Sequence, residues 1–326
     1  MLNTNISTYL QSLLSSPARK ELTTSVIPGL IASIVGVSKA LKSAHHVSQV
    51  GTANAFGDDQ LNVDVKTESI IRSYIAMCPS IITASSEEDP VEVQIEHIPN
   101  AAPMDEKYAV AFDPLDGSSI IAPNWTVGTI IGIWDGTSAL NQDPSTRQVA
   151  TILGIYGPRT TVVVAIRIPG TDPILFEAGL DDDAATVQLV RPEVRFSSPP
   201  FKTRYFAPAN LRFAGQSKAY MDLITHYIDE KYTLRYAGGL VPDLVHMLVK
   251  GHGVYVSPVG MGKAKLRRLY ELCPMALVME CAGGKALNPE TGRPILERPV
   301  ADCDERGGLL CGTGEDVDVA ARALLG

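Results

Sequence analysis

Little in this sequence invites zinc or disulfide chemistry. The five cysteines, Cys78, Cys273, Cys281, Cys303 and Cys311, form no CxxC pair and no cluster with histidine. That speaks against a zinc site or a disulfide framework and fits a reducing compartment. Positive charge is also short: 28 Lys and Arg against 36 Asp and Glu leave a net charge of −8. Such a balance argues against a nucleic-acid partner, although an acidic protein still binds phosphate locally. There is no internal repeat or low-complexity tract. No apolar run reads as a membrane span. The opening residues hold no acid before Glu21 and are rich in Ser and Thr, as transit peptides are, but Arg19 is their only arginine. A cytoplasmic location is the expectation.

What is present concentrates in one stretch. Phe112 to Ser119 reads FDPLDGSS, two carboxylates and a small-residue turn in eight residues. The preceding Tyr108–Phe112 is apolar and aromatic, which predicts a buried strand with Asp113 at its carboxyl end. Pro114 lacks an N–H, so the ladder is expected to stop there and the chain to turn. If Asp113 and Asp116 face one cleft, their charges repel unless a cation neutralises them. Oxygen donors without a nearby His or Cys favour Mg²⁺ or Mn²⁺ over zinc. Gly117, Ser118 and Ser119, if they open a helix, offer N–H groups to an anion, and phosphate is the anion that pairs naturally with Mg²⁺. Taken by itself, an Asp-Pro-x-Asp-Gly string also serves as a plain turn.

Around this stretch the pattern alternates strands and helices. Apolar spacing between Thr23 and Val47 predicts a largely buried helix or two with Pro28 near the start. A second helical pattern covers Lys66 to Met77, and Asp64 beside its start suits a capping acceptor. Asn124 to Trp134 reads as one buried strand. Strand-like runs follow at Thr161–Ile168, Ile174–Phe176 and Thr186–Val190, with Asp181 to Asp183 as a solvated turn. Ser197 to Pro200 marks the boundary between halves, 1–198 and 199–326, and the second half favours a second sheet. A helix is expected over Ser217–Glu230. Gly283 and Gly284 should end another before a strand at Lys285–Leu287. The tail reads as a strand and a closing helix with Glu315 and Asp316 in its first turn.

FDPLDGSS closely resembles the metal motif of the lithium-sensitive phosphatase superfamily. Phe56–Lys66, FGDDQLNVDVK, is similar to the mobile loop of sugar bisphosphatases, and Ser86-Glu87-Glu88-Asp89 resembles their SEED motif. Arg235-Tyr236-Ala-Gly-Gly239, Gly253–Pro258, Gly262–Arg267 and Leu269–Gly284 complete a series that resembles the fructose-1,6-/sedoheptulose-1,7-bisphosphatase family from about Gly57 to Gly284. The resemblance implies an α/β fold layered α-β-α-β-α, two stacked sheets with helices between and outside. It implies a metal half followed by a sugar-phosphate-binding half.

The same resemblance implies residue roles. Glu87, Asp113, Asp116, Glu271 and the backbone carbonyl of Leu115 would hold Mg²⁺, or Mn²⁺. Asp64 with Glu88 would take a proton from water, and Asp58 on the loop would pair with Arg267. Gly117, Ser118 and Ser119 would hold the reacting phosphate. Asn210, Tyr236, Tyr255 and Lys265 would bind sugar and distal phosphate, while Arg235 would reach a partner's site in a homodimer or homotetramer. Phe213 stands where a tyrosine is usual, which removes one phosphate hydrogen bond. Glu280 reads as structural. The implied reaction is hydrolysis of a sugar bisphosphate at its 1-phosphate. The NWTVGT and GDDQLNVD forms lean to sedoheptulose 1,7-bisphosphate, with fructose 1,6-bisphosphate or dual activity as the alternative. A catalytically silent sugar-phosphate sensor is the remaining reading, and such proteins usually lose acids that this chain keeps. No cysteine precedes Cys78, so a thioredoxin switch in an N-terminal loop is not expected.

Overall fold

The computed structural model describes residues 3–14, 19–53, 59–97, 105–181, 186–262 and 264–326. A nine-stranded sheet takes its strands from the first half. Its order is Asn3–Asn5, Thr186–Arg191, Ile174–Leu180, Thr160–Ile166, Gln148–Tyr156, Val127–Asp135, Tyr108–Asp116, Ile81–Ser86, Val93–Gln94. Only Ile81–Ser86 and Tyr108–Asp116 run parallel, with Ser86 opposite Phe112. The five-stranded sheet of the second half runs Thr233–Leu234, Tyr205–Pro208, Val254–Ser257, Leu309–Gly312, Lys285–Leu287.

The apolar residues sort these elements into five layers. Helices Ile27–Ser43 and Asn62–Ala76 cover one face of the large sheet through Leu30, Ile34, Ile71 and Ile75. Its other face, with Ala109, Ala111, Ile130 and Leu153, packs on helices Leu240–Lys250 and Cys273–Cys281, which also meet Ala207, Tyr255 and Cys311 of the second sheet. A helix between two sheets has no solvent face, and eight of the nine residues of Cys273–Cys281 are buried. Helices Lys218–Asp229 and Gly314–Leu325 close the outer side through Tyr220, Leu223, Tyr227, Val317 and Ala320. The chain therefore has the layered α/β architecture its motifs imply.

Several local readings need correction. Leu22–Ser43 forms a 22-residue helical run of mean hydropathy 1.5, long and apolar enough by length and composition to cross a membrane. Leu30, Ile31, Ile34 and Val37 are nevertheless fully enclosed in the core against the large sheet. The strand expected from Asn124 begins only at Val127: Asn124 has a φ of 62° and Trp125 is 56% exposed. The strand expected to reach Ile168 ends at Ile166. The helix read from Lys66 begins at Asn62. The tyrosine-led strand does not stop before Pro114 but continues to Asp116. Most of the expected acid turn after Asp181 lies outside the described residues, as do Asp58 and Lys263.

Candidate active site

Pro114 is absorbed by a bulge. Asp113 pairs with Ile130 and Asp116 with Gly128, so two residues, Pro114 and Leu115, stand opposite Thr129 alone. The register explains why both acids share a cleft. Three positions apart on a regular strand they would face opposite sides. With one residue absorbed they lie opposite Ile130 and Gly128, which share a face. Leu115 N–H donates to Asp113 Oδ1 at 3.0 Å.

Glu271 comes from the second half. It lies on the π-helical turn Arg268–Leu272, and the Arg267 amide donates to its Oε2 at 2.5 Å. The Arg268 guanidinium holds that turn by donating to the carbonyls of Ile295, Arg298 and Pro299 and to Glu305. Asp113, Asp116 and Glu271 are all buried, and one carboxylate oxygen from each lies within 4.8 Å of the others.

Burial, then Glu87, Asp116 and Glu271, push the Asp113 carboxyl well above the usual range. Burial and then Glu87 do the same to Glu271. Burial raises Asp116 to about 6 despite the Val241 and Leu240 amides. Three clustered acids whose ionised forms are disfavoured, by burial above all and by nearby carboxylates, and which offer only oxygen, fit a hard divalent cation.

Glu87 extends the cluster. It follows the strand beside Tyr108–Asp116, and its amide donates to the Phe112 carbonyl at 3.0 Å. Among the described residues its carboxylate pairs with the buried Arg267, so it stands beside the triad rather than within it. The same guanidinium lies 3.8 Å from Asp304. Its expected partner Asp58 is outside the described residues.

Asp64 takes the capping role read for it. Its Oδ2 accepts the Leu61 amide at 3.0 Å at the start of helix Asn62–Ala76. Burial raises it to about 7, with Glu88 and Glu87 adding to the shift.

Beyond the acids, a Cβ placed on Gly117 would lie 3.3 Å from Gly239 Cα, so the 117–119 turn abuts the loop that follows Arg235 and Tyr236. Ser118–Ile120 is a single 3₁₀ turn after Gly117 at φ 83°, not the opening of a longer helix. Ser118 is half-buried and Ser119 exposed. Tyr255 is buried, and its phenol is pushed up by burial and by nearby Tyr236 and Asp243. Asn210, two residues past the strand Tyr205–Pro208, has a φ of 51°, its side-chain amide donating to the Pro258 carbonyl at 3.1 Å. Tyr236 is 46% exposed. Lys265 and Arg235 are exposed, and Arg235 Cζ lies 5.8 Å from the Tyr205 ring centre. Phe213 is half-buried beside Tyr220.

Residues 10–188 match the N-terminal domain of fructose-1-6-bisphosphatase and residues 200–325 its C-terminal domain. This chain belongs to the fructose-1,6-bisphosphatase family. Members of this bisphosphatase family are metal-dependent phosphoric monoester hydrolases, and the chain is such an enzyme. It is 36% identical to the chloroplastic sedoheptulose-1,7-bisphosphatase of Spinacia oleracea, over 91% of this chain and 75% of that one. It is also 36% identical to the class 1 fructose-1,6-bisphosphatase of Syntrophotalea carbinolica, over 89% and 87%. A Toxoplasma gondii structure provisionally assigned as a sedoheptulose-1,7 bisphosphatase shares the fold at TM-score 0.85 and 30% identity, covering 98% of each chain. The holo fructose-1,6-bisphosphatase of Leishmania major gives 0.83 and 25%, covering 99% of each.

In this bisphosphatase two acids near the site escape a reading by motif. Asp243, buried, accepts the amides of Ala237 and Gly238 at 2.5 and 3.0 Å and so shapes the loop carrying Tyr236. Glu68 sits one turn after Asp64, pairs with Arg72, and is raised by burial above all. The i, i+4 spacing of Asp64, just ahead of the helical pattern that opens at Lys66, and Glu68 within it was the available signal for the second.

Proposed function

We propose that the chain hydrolyses the 1-phosphate of sedoheptulose 1,7-bisphosphate, yielding sedoheptulose 7-phosphate and inorganic phosphate, with Mg²⁺ as its metal and Mn²⁺ as a substitute. The observation carrying this reading is the convergence of Asp113, Asp116 and Glu271 from two halves of the chain within 4.8 Å. Fructose 1,6-bisphosphate, alone or alongside it, is the alternative substrate, a reading supported by relatives that divide between the two names. The two sugars differ by one hydroxylated carbon, a difference worth roughly 1–3 kcal/mol in a permissive pocket.

Glu87, Asp113, Asp116, Glu271 and the Leu115 carbonyl would hold the metal. When bound, a divalent ion supplies charge neutralisation at the phosphate ester and a lower pKa for water. Asp64, at about 7 and beside Glu88, is suited to accept the proton of the attacking water. In-line attack on phosphorus then releases phosphate without a covalent enzyme intermediate. Amides of Gly117 and Ser118, with Ser119 alongside, would hold the phosphoryl oxygens. Arg267, placed between Glu87 and Asp304, would position that edge and pair with Asp58. Asn210, Tyr236, Tyr255 and Lys265 would bind the sugar and its far phosphate. Arg235, exposed next to Leu234 and Tyr236, supports a homodimer or homotetramer in which it reaches a neighbouring site. Residues 1–198 then act as the metal half and 199–326 as the sugar-phosphate half. The five free, buried cysteines support a reducing, cytoplasmic setting.

The test is phosphate release from both bisphosphates with and without Mg²⁺. Metal-dependent turnover that favours the seven-carbon substrate is expected. Binding of either sugar without turnover would favour the silent sensor.

A further inference from the structure

The bulge at Pro114 needs support that its own ladder cannot give. Pro114 donates nothing, and its buried carbonyl must find a donor. Thr129, the single residue facing the bulge, donates its hydroxyl to that carbonyl at 2.8 Å. Thr129 Oγ1 also lies 2.8 Å from the Tyr156 hydroxyl. A carbonyl only accepts and a threonine hydroxyl carries one proton, so Tyr156 must donate to Thr129. The direction of the chain is therefore fixed: Tyr156 to Thr129 to Pro114.

Beyond Pro114 the chain of bonds continues through one rigid peptide. Its C=O points back to Thr129, and its N–H, that of Leu115, points forward to Asp113 Oδ1 at 3.0 Å. Rotating that plane would break both bonds at once. Thr129 and Tyr156 lie on the face that packs on helix Ile27–Ser43, opposite the face carrying Asp113 and Asp116. Gly154 leaves the room: a Cβ there would stand 3.1 Å from the Tyr156 hydroxyl and 2.8 Å from Ile34. Thr129 is fully buried and Tyr156 8% exposed.

We propose that Thr129 and Tyr156 are positioning residues which, from behind the sheet, orient the Asp113 carboxylate and the Leu115 peptide for a divalent cation. This rests on the metal-centre reading given above. Neither side chain enters the cleft, so their effect on the cation passes through the Pro114–Leu115 peptide.

Calorimetric titration of the metal-free protein with Mn²⁺ tests it, in wild type, Thr129→Val, Thr129→Ser and Tyr156→Phe, with near-ultraviolet circular dichroism as the folding control. Thr129→Val keeps shape and removes the hydroxyl, and should bind Mn²⁺ ~10–100-fold more weakly. Thr129→Ser should restore affinity to near wild type, and Tyr156→Phe should fall between. A folded Thr129→Val with wild-type affinity would overturn the proposal, as would a Thr129→Ser as weak as the valine variant. If Thr129→Val does not fold, Tyr156→Phe decides, and wild-type affinity there overturns it. Wild-type protein that binds no Mn²⁺ would instead remove the metal-centre reading, and this inference with it.

Discussion

Asp116 accepts the Val241 amide on Oδ2 at 2.6 Å and the Leu240 amide on Oδ1 at 3.0 Å. A candidate metal ligand from the first sheet thus caps a helix of the second half, 125 residues away in sequence. Orphan N–H groups at a helix start and a buried carboxylate satisfy each other, which ties the metal cleft to the docking of the two halves.

That docking leaves no room for a side chain at position 128. A Cβ on Gly128 would stand 2.4 Å from Val241 Cβ. Gly128→Ala should push the helix start away from Asp116, cost about 1–3 kcal/mol, and weaken metal binding together with stability. Thermal unfolding and Mn²⁺ titration of the same sample check both.

Removing one repelling charge should have opposite effects on stability and activity. Burial and three neighbouring acids disfavour the ionised form of Asp113 when no metal is present. Asp113→Asn keeps an acceptor for the Leu115 amide and should raise metal-free stability by about 0.5–2 kcal/mol. Phosphate release should fall by more than the ~10–100-fold typical of losing an outer partner of a metal ligand. Urea unfolding with and without Mg²⁺ reads the first effect; the wild type should regain its advantage once metal is added.

Asp64 gives the pH dependence. Its folded value of about 7 lies above the ordinary 3.8. Below about pH 4 both folded and unfolded forms hold the proton, and this group's contribution to stability is fully present. As pH rises toward 7 the unfolded chain has released the proton while the folded one still pays to keep or lose it, so stability falls by roughly 4 kcal/mol across that window. Urea midpoints in chelator should decline from pH 5 to 7.5, and Asp64→Asn should flatten the decline. Activity should run the other way, rising through pH 7 as Asp64 ionises. Asp64→Asn should lower turnover ~10²–10⁴-fold while its amide oxygen keeps the cap on Leu61.

Arg268 anchors the turn that carries Glu271. Arg268→Ala leaves the Ile295 and Arg298 carbonyls without this donor, while Glu305 keeps Arg298 and the Ala301 amide, and should cost about 1–3 kcal/mol for each buried carbonyl left unpaired. Arg268→Lys should not rescue it, because one ammonium cannot reproduce a planar fork of five donors. Calorimetric unfolding of the three proteins decides this.

Much of the site was legible because its chemistry is local. FDPLDGSS puts two acids, a proline and a flexible turn in one string, and Ser86–Asp89 does the same for Glu87 and Glu88. The helix at Lys218–Asp229, the glycine stop before Lys285 and the closing helix follow from caps and apolar spacing. Other features were not legible. Pro114 argued for a strand end, yet Thr129 from the next strand supplies a donor and the strand runs on. The apolar start of NWTVGT suggested a strand where Asn124 turns left-handed and Trp125 is left outside. Leu22–Ser43 is apolar enough for a lipid environment, and packing against the sheet gives it a protein one.

By itself the sequence determined which groups are able to carry the chemistry, since a carboxylate's charge, a proline's missing N–H and a glycine's freedom belong to the residue. Only the tertiary structure decided that Asp113 and Asp116 share a face, that Glu271 meets them and that Asp116 caps a distant helix. Those outcomes depend on a one-residue bulge and on helices packed between two sheets, and register and packing are set by partners far away along the chain.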